Sequence, residues 1–523
     1  MASTPAVDAG AANRWIITAA VMSATLMEVL DTTVVNVSLP HIAGNLSVSI
    51  TEATWVLTSY LVSNAIVLPM TGWLAQVMGR KRLLQVAIFG FTLSSLLCGL
   101  APSLPLLVGF RVLQGTFGGC LQPLSQAVLL ETFPLHERGK AMSVWGIGMM
   151  VAPILGPVFG GWVTDSYSWR WLFYVNLPVG VIAMFMTQTY LVDPPYLRET
   201  VRKIDYWGIA LLVIGIGALQ LFLDKGPDED WFDSRLIIGL FAVAAVALAG
   251  LVVHVLATDE PIIDLRVMKD RTYAAGTVLI TSLGFVLFGS MMVLPVFLQT
   301  LLGYPAMQAG EALAPRGLGA FLMMPISGLL VARVDSRILI GTGLTAAALP
   351  LFWLSAIDAN AGYWDIFWPQ IIQGAGMSLL FVPLSTTTMA AIPKVKIGNA
   401  TSLFSLMRNV GAGIGIAVMG TMLSHYRDGG VGVVGASVTA YDDVSQRTVA
   451  QLAAGFRAAG ADAATALSQA YAAMSGMVYQ QASMIAFITL FRFAGVLFLA
   501  MLPLVLIMRR PNMQAPGDAP AVH

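Results

Sequence analysis

FRVLQGTFGGCLQPLSQAVLLETFPLHERGKAMS, residues 110–143, returns in weaker form as PQIIQGAGMSLLFVPLSTTTMAAIPKVKIGNATS, residues 369–402, at a spacing near 259. Gln114-Gly115 falls on Gln373-Gly374, Pro123-Leu124-Ser125 on Pro383-Leu384-Ser385, and Pro134 on Pro393. A second pair, GWLAQVMGRKRLL from Gly72 and GLLVARVDSRILI from Gly328, precedes it in each copy. Both copies hold an apolar run followed by a basic loop, so the two halves run in the same direction. Parallel halves place a binding site near the midplane at their interface and imply alternating access by rocking.

The 523 residues have a mean hydropathy of +0.78, and only 11% are charged, against about a quarter in soluble domains. The chain reads as an all-α membrane protein. Windows of about 20 apolar residues lie near 15–38, 53–75, 83–101, 105–130, 140–164, 171–192, 205–224, 235–256, 273–298, 309–332, 338–356, 364–391, 400–425 and 484–508. The first, beginning near Trp15, is too long for a cleaved leader and reads as a retained span. The repeat pairs span 4 with span 12 and leaves spans 7 and 8 unmatched. We therefore expect a six-span half over 1–192, an inserted two-helix hairpin with linkers over 193–272, and a second six-span half over 273–523, with a long outer loop at about 426–483.

Charge sets the orientation. An inside N-terminus puts eighteen basic residues on inner loops and tails, among them Arg80, Lys81, Arg82, Arg138, Lys140, Arg198, Arg202, Lys203, Lys394, Lys396, Arg509 and Arg510, against six outside. That excess predicts both termini in the cytoplasm. Arg111, Arg316, Arg408 and Arg492 remain within spans.

Span 1 ends in LMEVLDTTVVNVSLP, residues 26–40, with Glu28 and Asp31 in an otherwise apolar run. A buried charge costs about 2.5–3.5 kcal/mol even on insertion scales, so such groups usually face a cavity, take protons or bind ions. Transport is the first function this suggests; an acid fixed as a packing ion pair is the alternative. Glu28 and Asp31, three apart, share a helix face. Asp31 on span 1 and Arg111 on span 4 both lie about 10 Å below the outer surface, so they can meet. A facing arginine lowers a carboxylate's proton affinity and burial raises it, so a small rearrangement can load or unload a proton. A permanent structural pair has the same sequence signature.

Span 4 carries a polar stripe of Arg111, Gln114, Gly118, Gln122 and Gln126. It is expected to line a central cavity, with Gln373 as the counterpart of Gln114 in the other half; hydrogen bonding between helices is the alternative. Gly115 and Gly119 suit close helix contact. In span 5, Pro153, Gly156, Pro157, Gly160 and Gly161 are expected to bend the helix and admit a neighbouring backbone.

Four motifs, LDTTVVNVSLP (30–40), GWLAQVMGRKR (72–82), RVLQG (111–115) and PILGPVFGG (153–161), in this order and spacing, resemble the major facilitator superfamily, and within it the fourteen-span drug:proton antiporters of the EmrB-like multidrug export type. The resemblance implies the major facilitator fold, two six-helix halves plus an inserted hairpin, in a bacterial inner membrane. It implies export of hydrophobic drugs against inward proton flow, with Arg111 tied to proton coupling and the span 5 pattern as the antiport signature. It also implies a periplasmic adaptor and an outer-membrane channel as partners. The polar, Ala-rich loop, in which 443–473 suits amphipathic helices, is the candidate docking element. Gly72, Gly79, Arg80 and Lys81 match the cytoplasmic loop motif. Gln76-Val77 stand where many members have an acid and a base, so the basic cluster is expected to serve orientation and anionic-lipid contact.

Other classes fit poorly. A net charge of zero gives no reason for a nucleic-acid partner. Cys98 and Cys120 lie in apolar runs, the five histidines are scattered, and no HExxH, GxSxG or Walker motif occurs. We expect no enzyme, metal or cofactor. A proton-coupled symporter or facilitator for a metabolite is the alternative within transport, disfavoured by the span 5 pattern. The intramembrane arginines outnumber the acids, which favours hydrophobic weak acids over cations as substrates.

Overall fold

A computed structural model describes residues 11–193, 204–358, 361–390, 392–439 and 441–508. Arg198, Arg202, Lys203, Arg509 and Arg510, used above for orientation, lie outside them. No strand occurs among the described residues. Among the described residues thirteen helices are long and apolar enough to cross a bilayer, and a bent pair makes a fourteenth candidate. Spans 1–4 are Asn13–Val37, Ile50–Met78, Arg80–Leu100 and Leu104–Thr132. Span 6 is Trp171–Tyr190, and spans 7–10 are Tyr206–Lys225, Arg235–Ala257, Arg271–Thr300 and Met307–Leu330. Spans 11–14 are Ser336–Leu354, Tyr363–Ala390, Lys394–Ser437 and Ala463–Ile507. Span 5 is the bent pair Leu135–Pro153 and Val158–Ser166, which turns by 46° across the proline–glycine motif. Span 4 breaks at Gly119-Cys120, where Pro123 offers no N–H to the carbonyl one turn earlier.

The repeat read from sequence recurs as packing. Span 1 packs on spans 5 and 6, span 4 on spans 2 and 3, and span 3 on span 6; spans 9, 13, 14, 10, 12 and 11 repeat these pairings in the other half. The halves meet through span 5 against span 10 and span 2 against span 13. Spans 7 and 8 pair with each other, and span 7 lies against both span 2 and span 13. Thr58 of span 2 donates to Asp224 Oδ2 at 2.5 Å, and Trp231, in the turn between spans 7 and 8, donates to Thr421 of span 13 at 2.7 Å.

The halves touch closely at the end that carries the basic loops. A Cβ on Gly72 would stand 2.6 Å from the Asn399 backbone, and one on Gly139 2.6 Å from the Gly328 carbonyl oxygen. Further in, Trp145 of span 5 stacks on Phe381 of span 12, centroids 5.6 Å apart and 9° from parallel.

The stretch at 426–483 is not an open loop. Span 13 continues as helix to Ser437, span 14 already begins at Ala463, and a separate helix, Asp443–Ala458, packs against span 14. Proline is absent from the stretch and alanine is frequent, which favours unbroken helix. At 44 and 45 residues, spans 13 and 14 are roughly 65 Å long, twice the hydrocarbon thickness of a bilayer. The pair therefore projects well beyond the membrane. Asp442 caps the added helix by accepting from the Ser445 amide at 2.8 Å, which holds its carboxyl below the usual range.

Candidate functional site

Two carboxylates on span 1 organise the site, each buried to 2% exposure. Asp31 accepts from Arg111 Nη1 at 2.5 Å, from Gln114 Nε2 at 2.9 Å and from Asn176 Nδ2 of span 6 at 2.9 Å. Arg111 also donates to the Val56 carbonyl at 3.0 Å and to Gln114 Oε1 at 2.8 Å, and its guanidinium lies 4.1 Å over the Tyr60 ring. Asn176 donates in turn to Ser95 Oγ at 2.9 Å. Among the described residues every partner of this ion pair comes from the first half, from spans 2, 4 and 6, with Ser95 of span 3 behind Asn176. The pair is charge-balanced and tied to a backbone carbonyl, the arrangement in which removing one member leaves a costly unpaired charge.

Glu28, one turn away, has different neighbours. It accepts from Tyr60 Oη at 3.3 Å, Asn64 Nδ2 at 3.1 Å and Gln122 Nε2 at 2.6 Å, with no arginine in direct contact among the described residues. Gln122 Oε1 then receives Arg408 Nη2, on span 13, at 2.5 Å. Arg408 also lies 5.6 Å over Trp145. Glu28 is therefore joined to the other half through one amide, whereas Asp31 is held within its own half.

The predicted stripe on span 4 divides. Gln114 goes to Asp31 and Gln122 to Glu28, while Gln126 is buried with neither side-chain atom bonded among the described residues. Gly118 is a packing position, where a Cβ would meet the Tyr60 hydroxyl at 2.9 Å. Gln373, like Gln114 fully buried, finds no hydrogen-bond partner among the described residues. In span 5, Gly156 and Gly160 let the backbone rest on Thr33 and Val34, just past Asp31; Gly161 is unobstructed. Pro153 lies at the bend, and the side chain of Pro157 is outside what the structure describes.

The loop motif reads differently in three dimensions. Arg80, 3% exposed, forms an ion pair with Glu131 at the end of span 4. This is a buried structural pair rather than a lipid contact. Gly79 takes φ +82°, and Asp193 accepts from the Lys81 amide at 2.8 Å. Acids distant in sequence thus stand around a motif that lacks its own.

Sequence reasoning found the meeting of Asp31 with Arg111. It gave no role to Tyr60, Asn64, Asn176 or Arg408. The asparagines and Arg408 carry a signal, a polar group in an apolar run; Tyr60 carries none.

The family profile described as Major Facilitator Superfamily matches residues 21–416. The chain belongs to the major facilitator superfamily. It is 36% identical to the fatty acid resistance protein FarB of Neisseria gonorrhoeae over 512 residues, 96% of this chain and 97% of that protein. It is 40% identical to the multidrug export protein EmrB of Escherichia coli strain K12 over 408 residues, 78% of this chain and 80% of that protein. Among solved structures, the human organic anion transporter MFSD10 superposes with a TM-score of 0.62 at 12% identity, covering 94% of this chain and 99% of that one, a likeness of fold. The chain is thus a multi-pass transporter of this superfamily, and its relatives include export proteins.

Proposed function

We propose that this protein is a proton-coupled antiporter that expels hydrophobic compounds, amphipathic weak acids among them, across the bacterial inner membrane, with both termini in the cytoplasm. The observation that carries the reading is the pair of buried span 1 carboxylates in unlike surroundings, one locked to Arg111 and one joined to the opposite half through Gln122 and Arg408. The names of FarB and EmrB, a fatty acid resistance protein and a multidrug export protein, support the substrate class.

In this reading the halves, residues 1–192 and 273–523, rock about the midplane, and the hairpin within 193–272 stays at the periphery. Contact at the basic end then makes this the outward-facing state. A proton arriving from outside neutralises Glu28. Gln122 Nε2 loses its charged acceptor, its hold on Arg408 Nη2 loosens, and the halves can part at the cytoplasmic end. There the proton leaves, and substrate enters between the halves as they separate. Asp31 and Arg111 keep span 1 registered against span 4 throughout, and they set the field in which Glu28 titrates. Gly156 and Gly160 let the bent span 5 follow span 1. The projecting ends of spans 13 and 14 with helix Asp443–Ala458 are the docking surface for a periplasmic adaptor and, through it, an outer-membrane channel.

The test is drug-induced proton release in inverted membrane vesicles containing the full chain. An uncharged hydrophobic drug should drive protons out of wild-type vesicles and not out of Glu28→Gln vesicles. Equal proton movement with and without drug would sink the antiport reading.

A further inference from the structure

The glycine contacts of span 4 recur in span 12 against corresponding residues. A Cβ on Gly115 would press on the Tyr60 carbonyl oxygen, and one on Gly374 on the Arg316 carbonyl oxygen. A Cβ on Gly119 would meet the Asn64 carbonyl oxygen at 2.6 Å, while Ser378 at the matching place donates to the Ala320 carbonyl at 3.2 Å. Tyr60 thus corresponds to Arg316, and Arg111 to Gln370. The cation has changed helices: Arg111 on span 4 stacks on Tyr60 of span 2, and Arg316 on span 10 donates Nε to Gln370 Oε1 of span 12 at 2.8 Å.

What is missing is the acid. Span 9, which takes the place of span 1, has no Asp or Glu over Arg271–Thr300, nor has span 11 over Ser336–Leu354. Glu311 and Asp365, the acids of spans 10 and 12, are exposed near the outer ends. Arg316 is 5% exposed and makes no ion pair among the described residues, and its Nη1 has no partner there. Gln370 Nε2 and both side-chain atoms of Gln373 are likewise buried and without partners among the described residues. A guanidinium without a counter-acid and unpartnered amide donors three residues apart on the facing helix are the groups that recognise a carboxylate.

The face of span 12 that carries Gln370 continues through Met377 to Phe381, at helical spacings of seven and four. All three are buried, and Phe381 is covered by Trp145 of the first half. Parting the halves at the basic end would uncover Phe381, from which the same helix face runs through Met377 up to Gln370 and its bond to Arg316. We propose that Arg316, with the amides of Gln370 and Gln373, is the recognition site for the carboxylate of an amphipathic weak acid whose tail lies along the Met377–Phe381 face. The proposal deepens the export reading above and rests on it for direction of transport only.

Purified full-length protein in detergent, titrated calorimetrically against protein-free micelles with decanoate, decanol and decyltrimethylammonium, tests it. Wild type should bind decanoate about tenfold more tightly than decanol, the worth of one charge-assisted contact, and decyltrimethylammonium most weakly. Arg316→Gln should bind decanoate and decanol alike. Gln373→Leu, which leaves the arginine in place, should lower the preference by about threefold, a fraction of that contact, and it keeps the test open if Arg316→Gln does not fold. An unchanged preference in folded Arg316→Gln, no preference in wild type, or loss of preference in Arg408→Gln instead would overturn the assignment. Loss of preference in Arg316→Gln, alongside wild-type vesicles in which an uncharged drug moves no protons, would leave the carboxylate site standing and remove the antiport reading. The reverse pattern would remove the site alone.

Discussion

Arg111 and Arg316 belong to corresponding regions of the two halves, and their surroundings are opposite. Arg111 faces Asp31, a backbone carbonyl and an aromatic ring, and its chief partner Asp31 is filled by three donors. Arg316 faces a glutamine and nothing acidic among the described residues. The first half keeps both span 1 carboxylates, while Arg316 and Arg408 lie in the second. The buried span 1 carboxylates thus stand in the first half, and two buried arginines bonded to glutamines stand in the second. Gln122, between Glu28 and Arg408, is where the two sets touch.

The largest effect expected from this contrast is on stability. Asp31→Asn leaves Arg111 buried without its counter-charge and should cost about 3–5 kcal/mol, while Arg316→Met, which removes a charge that has no acidic partner among the described residues and is bonded only to Gln370 there, should be neutral to within about 1 kcal/mol or stabilising. Thermal unfolding of the purified variants in detergent reads both. Combining Asp31→Asn with Arg111→Gln should recover most of the loss, because neither charge then remains. Equal losses in Asp31→Asn and Arg316→Met would break the comparison.

Transport sharpens it next. Glu28→Gln preserves shape and hydrogen-bonding capacity, so its melting point should stay near that of the parent while drug-driven proton release falls at least about a hundredfold, the scale of losing a positioned proton-transfer group. If Glu28→Gln vesicles still exchange drug for protons and a folded Asp31→Asn protein does not, the carrier is Asp31 and the roles assigned to the two acids are exchanged. Arg408→Gln should have a smaller effect, weakening the tie between halves without removing the titrating group, and should be read as a reduced rate with proton linkage retained.

Much of this was legible in the sequence, for identifiable reasons. Hydropathy located the spans because a bilayer requires continuous apolar helices to satisfy backbone hydrogen bonds. Matched depths paired Asp31 with Arg111 because rise per residue is fixed in a helix. The Glu28–Gln122–Arg408 chain was not legible, since it joins residues of opposite halves whose register depends on how the halves dock. Nor was the exchange of cation between spans 4 and 10, because the repeat aligns Gln114 with Gln373 while the arginine has moved to a different helix. In the stretch 426–483 helix was legible over 443–473, but the continuation of spans 13 and 14 through it was not, for a plainer reason. Its polarity ended the hydropathy signal at the membrane surface, although alanine-rich, proline-free chain continues as helix beyond it.

The helical extension at 426–483 should matter least to either polar site. Helix Asp443–Ala458 packs on span 14 beyond the bilayer, beside a groove of about 700 Å³ between it and the extended ends of spans 13 and 14 that includes Val431, Val449 and Tyr471. Replacing residues 443–458 with a short Gly-Ser linker leaves Asp31, Glu28, Arg316 and Arg408 with all the contacts described above, so drug-driven proton release in vesicles should remain near that of the parent. Resistance of intact double-membraned cells should nevertheless be lost if the extension receives an adaptor, because vesicles need no hand-over and cells do. Measuring both in one strain separates the two regions. Resistance that survives with normal protein levels would show that the extension is a cover over the pump, while a matching loss in vesicles would show that it supports the helices that carry the transport site.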